Sequence, residues 1–390
     1  MPQKTYDAAI IGGGIMGLST AYFLKTLDSS LDVCVIEPDP AYEFCSTLRA
    51  SGGARRLFSC PENIAMSNFS IEFIKTFPQA MAVDGREAPV DWVEGGYLFI
   101  VPPEGMDILE QSHAAQIAQG CVVDLLTPAQ LKERFPSMHV DDLAGGAHSI
   151  GDGWCDPNGL LQGLRRKVLA QGTEILQDRV TGLTRGGAAI TAAKLASGAE
   201  IRARHFVNAA GAWAGEVAQL AGMRLPIAPL RRFEHYFTCG NPIERLPYVK
   251  DMARLAFRSE GVGFSGGLVD GDEARGFNFE VDHDYFERVV WPAVAHRFPP
   301  FEAAKCHRTW AGLYEQCELD GNPIIGNWQG EAENFWVIGG FSGHGMMHAP
   351  AAGRGLAELM LRGQYQTIDL IRLGYARVER DEPYREAGIL

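Results

Sequence analysis

No two of the chain's cysteines stand in C-x-x-C spacing; all eight, at 34, 45, 60, 121, 155, 239, 306 and 317, are scattered. That argues against zinc or iron–sulfur ligation, and no metal is expected. No window approaches the roughly eighteen uninterrupted apolar residues of a membrane span. The apolar stretch at 8–11 is too short, and too soon broken by glycines, for a secretory signal. The thiols therefore read as reduced and the expected location is the cytoplasm. Positive charge is scarce: 35 Lys and Arg stand against 48 Asp and Glu, a formal net charge of -13. Nucleic acid and anionic membrane surfaces are poor partners for such a chain. The dense basic clusters are Arg55-Arg56, Arg165-Arg166-Lys167 and Arg231-Arg232. Internal repeats, low-complexity segments and a convincing Ser-His-Asp or Cys-His constellation are also missing. What is present is a globular composition, 46% hydrophobic and 21% charged over 390 residues, enough for two domains or one intertwined pair.

The richest feature lies near the start. Ala8-Ala9-Ile10-Ile11 runs into Gly12-Gly13-Gly14-Ile15-Met16-Gly17, and after one helix length comes Asp32-Val33-Cys34-Val35-Ile36-Glu37. This reads as strand, glycine turn, helix, strand, acid. Gly12 makes the turn, Gly14 lets a pyrophosphate approach the backbone, and Gly17 lets helix and strand pack closely. The helix directs its positive end at the phosphates. Glu37, twenty residues past Gly17, is placed to accept from a ribose 2′-OH. The pattern predicts a dinucleotide site.

Further along, strands are expected at 5–11 and 32–37 around a helix near 15–27. Helices are expected at 61–77, 105–119, 157–171 and 282–297, with another starting at about Pro350 and running to 362. Thr127-Pro128 reads as a capped helix start. Trp92 to Val101 looks like a hairpin. Ile201–Asn208 is a strand running into Ala209-Ala210-Gly211-Ala212-Trp213, and Phe335–Phe341 is a strand ending in glycines. The fold class expected is α/β, a Rossmann-like dinucleotide domain in three chain segments (1–85, 149–227 and 319–390). A β-rich α+β substrate domain is inserted at 86–148 and 228–318.

The Gly12–Gly17 turn, Asn208–Trp213 in the middle and Gly340-Phe341-Ser342-Gly343-His344-Gly345 near the end together resemble the D-amino acid oxidase/sarcosine oxidase/glycine oxidase family. Phe58–Ile64, Leu160–Lys167, Val281–Asp284 and Gln366–Leu370 resemble, within it, the FAD-dependent oxidoreductase domain-containing protein 1 group, whose mitochondrial members are associated with complex I assembly. The resemblance implies FAD. It implies that Gly12, Gly14, Ile15, Met16, Gly17, Glu37 and Val180 meet the ADP half. It places the flavin against segments containing Ser46 and Arg49, Ala210, Gly211 and Trp213, and Gly343, His344, Gly345 and Met346. Where relatives tether the flavin through cysteine this chain has Gly312, which implies non-covalent FAD. The lysines of some oxidases are absent from Gly263–Gly267 and from Met347. Oxygen therefore shares the role of expected electron acceptor with a protein or quinone carrier.

The implied reaction is hydride loss from the carbon beside nitrogen of an amine or amino acid, giving an imine that hydrolyses. An arginine clamp for a carboxylate is wanted, and Arg55, Arg56 and Arg258 are the candidates. Tyr314 is a candidate second contact. His235 and Tyr236 point to opposite faces of a strand, so at most one faces the flavin. His235 would be the base if the substrate were instead a 2-hydroxy acid. A flavoprotein subunit or assembly role, and a homo- or hetero-oligomer, are the remaining alternatives.

Overall fold

The computed structural model describes residues 4–269 and 271–387. Its first sheet has eight strands among them. The main path runs Ile324–Trp328, Ala332–Gly339, Glu200–Asn208, Thr5–Ile11, Val33–Ile36, Glu174–Leu176. From Ala332–Gly339 onward the pairs are parallel. Val33–Ile36 is buried throughout, as a parallel strand covered on both faces must be. The Ile15–Leu27, Pro61–Ala80 and Gly345–Arg362 helices pack with one face of this sheet, and the Ala214–Leu220 helix with the other.

From Thr5–Ile11 the strand order goes to Val33–Ile36 on one side and to Glu200–Asn208 on the other. This switch point opens a crevice at the carboxyl ends of the strands, where ligands bind in open α/β sheets. The first and second glycine motifs thereby become neighbours: the Ala209 amide donates to the Ile11 carbonyl at 2.9 Å.

The second sheet also has eight strands among the described residues, ordered Ala304–Cys317, Ile227–Cys239, Gly263–Leu268, Leu255–Glu260, Tyr248–Asp251, Tyr97–Val101, Gly145–Ser149, Val123–Leu126. Its outer face packs on the Trp291–Arg297 helix through Phe237, Phe257, Phe298 and Phe301. Its inner face looks back at the first sheet's crevice. No helix among the described residues is long and apolar enough to cross a membrane. The eight cysteines are free, and Cys34 is core.

Two expected elements are corrected. Trp92–Val101 is not a hairpin: Val93 bridges to Trp154, and only Tyr97–Val101 is a strand, paired with Gly145–Ser149 and Tyr248–Asp251. Gly95 imitates a turn residue, but its task is steric, because a Cβ there would strike the Trp154 ring. The last long helix begins at Gly345 rather than Pro350. Pro350 lies inside it and denies the Met346 carbonyl its helical donor, a loss tolerated near a helix start.

Candidate functional site

A cavity of about 960 Å³ separates the two sheets, at the upper end of ligand-site volumes. At one end is the first glycine turn. Gly12 has φ +107°, and a Cβ there would meet the Ala209 carbonyl; a Cβ on Gly17 would run into the Gly12 carbonyl. Gly12, Gly14, Ile15 and Met16 line the cavity, whereas Gly17 serves the packing beneath. Gly14 provides no side-chain cap for the helix it opens, and the Ile15 amide of its first turn donates to Thr47 Oγ1 at 3.4 Å beside the cavity. Glu37 also lines the cavity. It accepts from the Gly13 amide at 2.7 Å and the Asp39 amide at 2.9 Å, and burial pushes its carboxyl up against the pull of those two amides. Val180, Ala210, Gly211 and Trp213 complete this end, with Trp213 stacked on Phe277 at 5.1 Å.

Ser46 and Arg49 line the wall and cross-brace it. Ser46 Oγ donates to the Leu313 carbonyl at 2.6 Å, and Arg49 reaches the Ala311 and Glu43 carbonyls. Between Ala311 and Leu313 lies Gly312, where a Cβ would come 3.0 Å from that of Arg49.

The third motif closes the far side. Gly343 has φ +104° and sits where a Cβ would enter the Tyr314 ring. Gly343, His344, Gly345 and Met346 all line the cavity. His344 Nδ1 lies 3.0 Å from His348 Nδ1, and His348 Nε2 lies 3.0 Å from Ser67 Oγ. Burial, helped by the charge of Arg55, pushes His344 down to about 3, and burial with the neighbouring His344 holds His348 well below its ordinary value. Glu315, beside the same turn, is pushed up to about 7 by burial.

The inner face of the second sheet follows the period of two. Registers carry it from Tyr97 and Phe99 through Tyr248 and Lys250, Ala256, Gly267, Glu234 and Arg232 to Gly312 and Tyr314. Tyr97 and Tyr248 stack at 4.3 Å, and Tyr248 Oη donates to Ser51 Oγ at 2.8 Å. Half-buried Glu234 accepts from Ser265 Oγ at 2.6 Å, and burial pushes it up to about 7. Arg55 enters from the first sheet's side. It is only 4% exposed, lies over Phe58 at 4.2 Å and Phe99 at 5.4 Å, and its Nε has no hydrogen-bond partner among the described residues.

Three candidates are placed differently from expectation. His235 lies on the outer face, hydrogen-bonded through Nδ1 to Thr309 Oγ1 at 2.9 Å and packed among Tyr285 and Phe286; burial pushes it down to about 4. It does not line the cavity, because Glu234 takes the inward position. Arg258 shares Ala256's face, but its Nε donates to the Ser51 carbonyl at 2.6 Å and its Nη1 pairs with Glu260, so it braces the wall. Arg56 is consumed by Asn68, Gly151 and Asp152. The sequence pattern does not single out Glu234 or Lys250. Glu234 had a usable signal, since it shares a strand face with Tyr236; the short Tyr248–Asp251 strand had none. Outside the cavity, His139, Asp142 and His296 cluster, but Arg297 holds both Asp142 oxygens at 2.8 Å.

A glycine turn with room at Gly14, a helix start that Gly14 leaves without a side-chain cap of its own and an acid at the second strand end fit the ADP half of a dinucleotide. A deeper chamber with the unpaired Arg55 Nε and Glu315 Oε2 fits a polar ring and a substrate. The fold and site define a two-domain flavoprotein oxidoreductase. The family model for FAD dependent oxidoreductase (DAO) matches residues 7–359, and the chain belongs to that family. It is 34% identical to FAD-dependent oxidoreductase domain-containing protein 1 of Xenopus laevis, over 100% of this chain and 86% of that protein. It is 26% identical to mitochondrial sarcosine dehydrogenase of Mus musculus, over 93% of this chain and 40% of that protein. Among solved structures it is similar to L-proline dehydrogenase from P. horikoshii, with a TM-score of 0.85 and 26% identity, over 98% of this chain and 100% of that one. The cofactor is FAD.

Proposed function

We propose that this enzyme oxidises the carbon beside nitrogen in an amine or N-substituted amino acid. FAD, when bound, supplies the two-electron acceptor for the hydride leaving that carbon. The carbon–nitrogen bond becomes an imine, which water hydrolyses. The observation that carries the reading is Arg55, a buried guanidinium whose Nε no described protein group satisfies. A buried charge of this kind calls for an anionic partner, and a carboxylate matches its fork. Glu234 is the group that takes the proton from the substrate ammonium, freeing the nitrogen lone pair. Tyr314 Oη is placed on the same wall for a carboxylate oxygen. The Tyr97, Phe99 and Tyr248 rings keep the chamber apolar. The start of the Gly345–Arg362 helix supports negative charge beside the third motif.

With His235 on the outer face, the base that a 2-hydroxy acid would need is not supplied from that position. The relatives named sarcosine dehydrogenase and L-proline dehydrogenase support secondary amines as the class to test first. The test is anaerobic mixing of the FAD-loaded protein with amines, N-methyl amino acids and 2-hydroxy acids, read as loss of flavin absorbance. Bleaching by a secondary amino acid is expected; no bleaching by any amine overturns the proposal. Admitting oxygen afterwards, with or without a quinone, tells an oxidase from a dehydrogenase.

A further inference from the structure

Lys250 is a second basic side chain lining the cavity. It stands on the inner face of the Tyr248–Asp251 strand, across from Phe99 on one side and Ala256 on the other. Neither neighbour offers an acceptor. Asp251, next along the chain, accepts from the Leu255 amide at 3.0 Å. The Lys250 ammonium lies 5.7 Å from the centroid of the Phe99 ring, the same ring over which Arg55 lies at 5.4 Å. A cation–ring contact recovers only part of what burying an ammonium costs. Burial, reinforced by the charge of Arg55, holds Lys250 well below the usual lysine range. An anion bound beside Lys250 would restore the charge that burial and Arg55 suppress. The protein keeps two basic side chains around one phenylalanine, in a chamber where an apolar residue would pack at less cost.

We propose that the Arg55–Lys250 pair selects an amino acid carrying a second acidic group, with the α-carboxylate on Arg55 and the distal acid on Lys250. This rests on the assignment of Arg55 as the carboxylate clamp. One carboxylate shared by both cations is the poorer match. The guanidinium fork uses both oxygens of the group it holds, and Lys250 is a point charge suited to a separate anion.

Two unreactive acids test this without turnover. Glutarate and butyrate are titrated into the FAD-loaded protein, followed by perturbation of the flavin absorbance. Glutarate is expected to bind at least about tenfold more tightly, the worth of one charge-assisted contact. Lys250→Met should bring glutarate down to the butyrate affinity, and Lys250→Arg should keep most of the preference. Lys250→Gln serves in place of the Met variant if that loses FAD. Equal affinities in the unaltered protein, a preference that survives Lys250→Met, equal weakening of both acids, or binding of neither acid would each overturn the proposal. Because neither acid reacts, this result reads independently of the bleaching experiment. A chain that discriminates the acids but oxidises no amine refutes the reaction and keeps the anion site; the reverse refutes the anion site alone.

Discussion

Glu234 shows what position does to a common residue. On a solvated surface its carboxyl is ionised at any physiological pH. Here burial pushes it up to about 7, so one proton separates an idle acid from a working base. A base acts only when ionised, so the anaerobic bleaching rate should rise with pH through about 7 and fall away below it. Glu234→Gln should lower the rate about 10²-fold or more and abolish that limb. Glu315, also pushed up to about 7 in the same cavity, is the control: if Glu315→Gln removes the limb and Glu234→Gln does not, the base has been misassigned. Glu37 does a different task with the same functional group. It holds the Gly13 and Asp39 amides while facing the cavity. Glu37→Ala should weaken FAD binding about ten- to a hundredfold, the worth of charge-assisted bonds. Fluorescence of released FAD measures this, and unchanged affinity would mean that the ribose is held elsewhere.

At the scale of elements, the glycine turn separates two functions that its motif merges. Gly14 has room for a Cβ, which would find Cys45 Sγ at 3.5 Å, an ordinary contact, as its nearest neighbour. Gly17 has none, since its Cβ would meet the backbone carbonyl of Gly12, which has no flexible end to yield. Gly14→Ala should therefore reduce FAD affinity while leaving the unfolding midpoint of the apoprotein in place. Gly17→Ala should reduce both, with a stability loss of about 1–3 kcal/mol as the helix is forced off the strand. Equal midpoints for the two apoprotein variants would refute this division. Elements with local chemistry were legible in advance. Asp156 caps the Pro157–Ala170 helix through the Asn158 and Gly159 amides, and Thr127 and Gln130 form a capping box. The sequence signals a hairpin at Trp92–Val101 because Gly95-Gly96 carries the signature of a turn, yet Gly95 answers to the distant Trp154 ring. It signals a later start for the Gly345–Arg362 helix because Pro350 usually marks a first turn. The chamber's second basic side chain is invisible for a related reason. Gly263–Gly267 and Met347 lack lysine, and Lys250 arrives instead from a four-residue strand whose partners lie far away in sequence. Local signals place caps and turns; which residue faces the cavity depends on register across strands that only the fold brings together.

At the scale of the whole molecule, the cavity is the seam between the two sheets, so the cofactor's mode of attachment has consequences for both. At the position where the family resemblance puts a tether is Gly312, which lines the cavity and has no side chain. The cavity-lining cysteine among the described residues is Cys45, and it lies beside Gly14 at the first glycine turn. Burial pushes its thiol up, which leaves little thiolate to react. We therefore expect FAD to be held without a covalent bond: acid precipitation should release all yellow colour to the supernatant, and colour retained in the pellet would refute this. A dissociable cofactor that binds only the folded chain must also stabilise it by mass action. At a free FAD concentration of a hundred times Kd the gain is about 2.7 kcal/mol. The unfolding midpoint should climb as FAD is added to stripped protein, and Glu37→Ala should need correspondingly more FAD for the same rise. A midpoint independent of FAD concentration, in protein whose colour is fully released by acid, would show that the two sheets are held together without the cofactor's help.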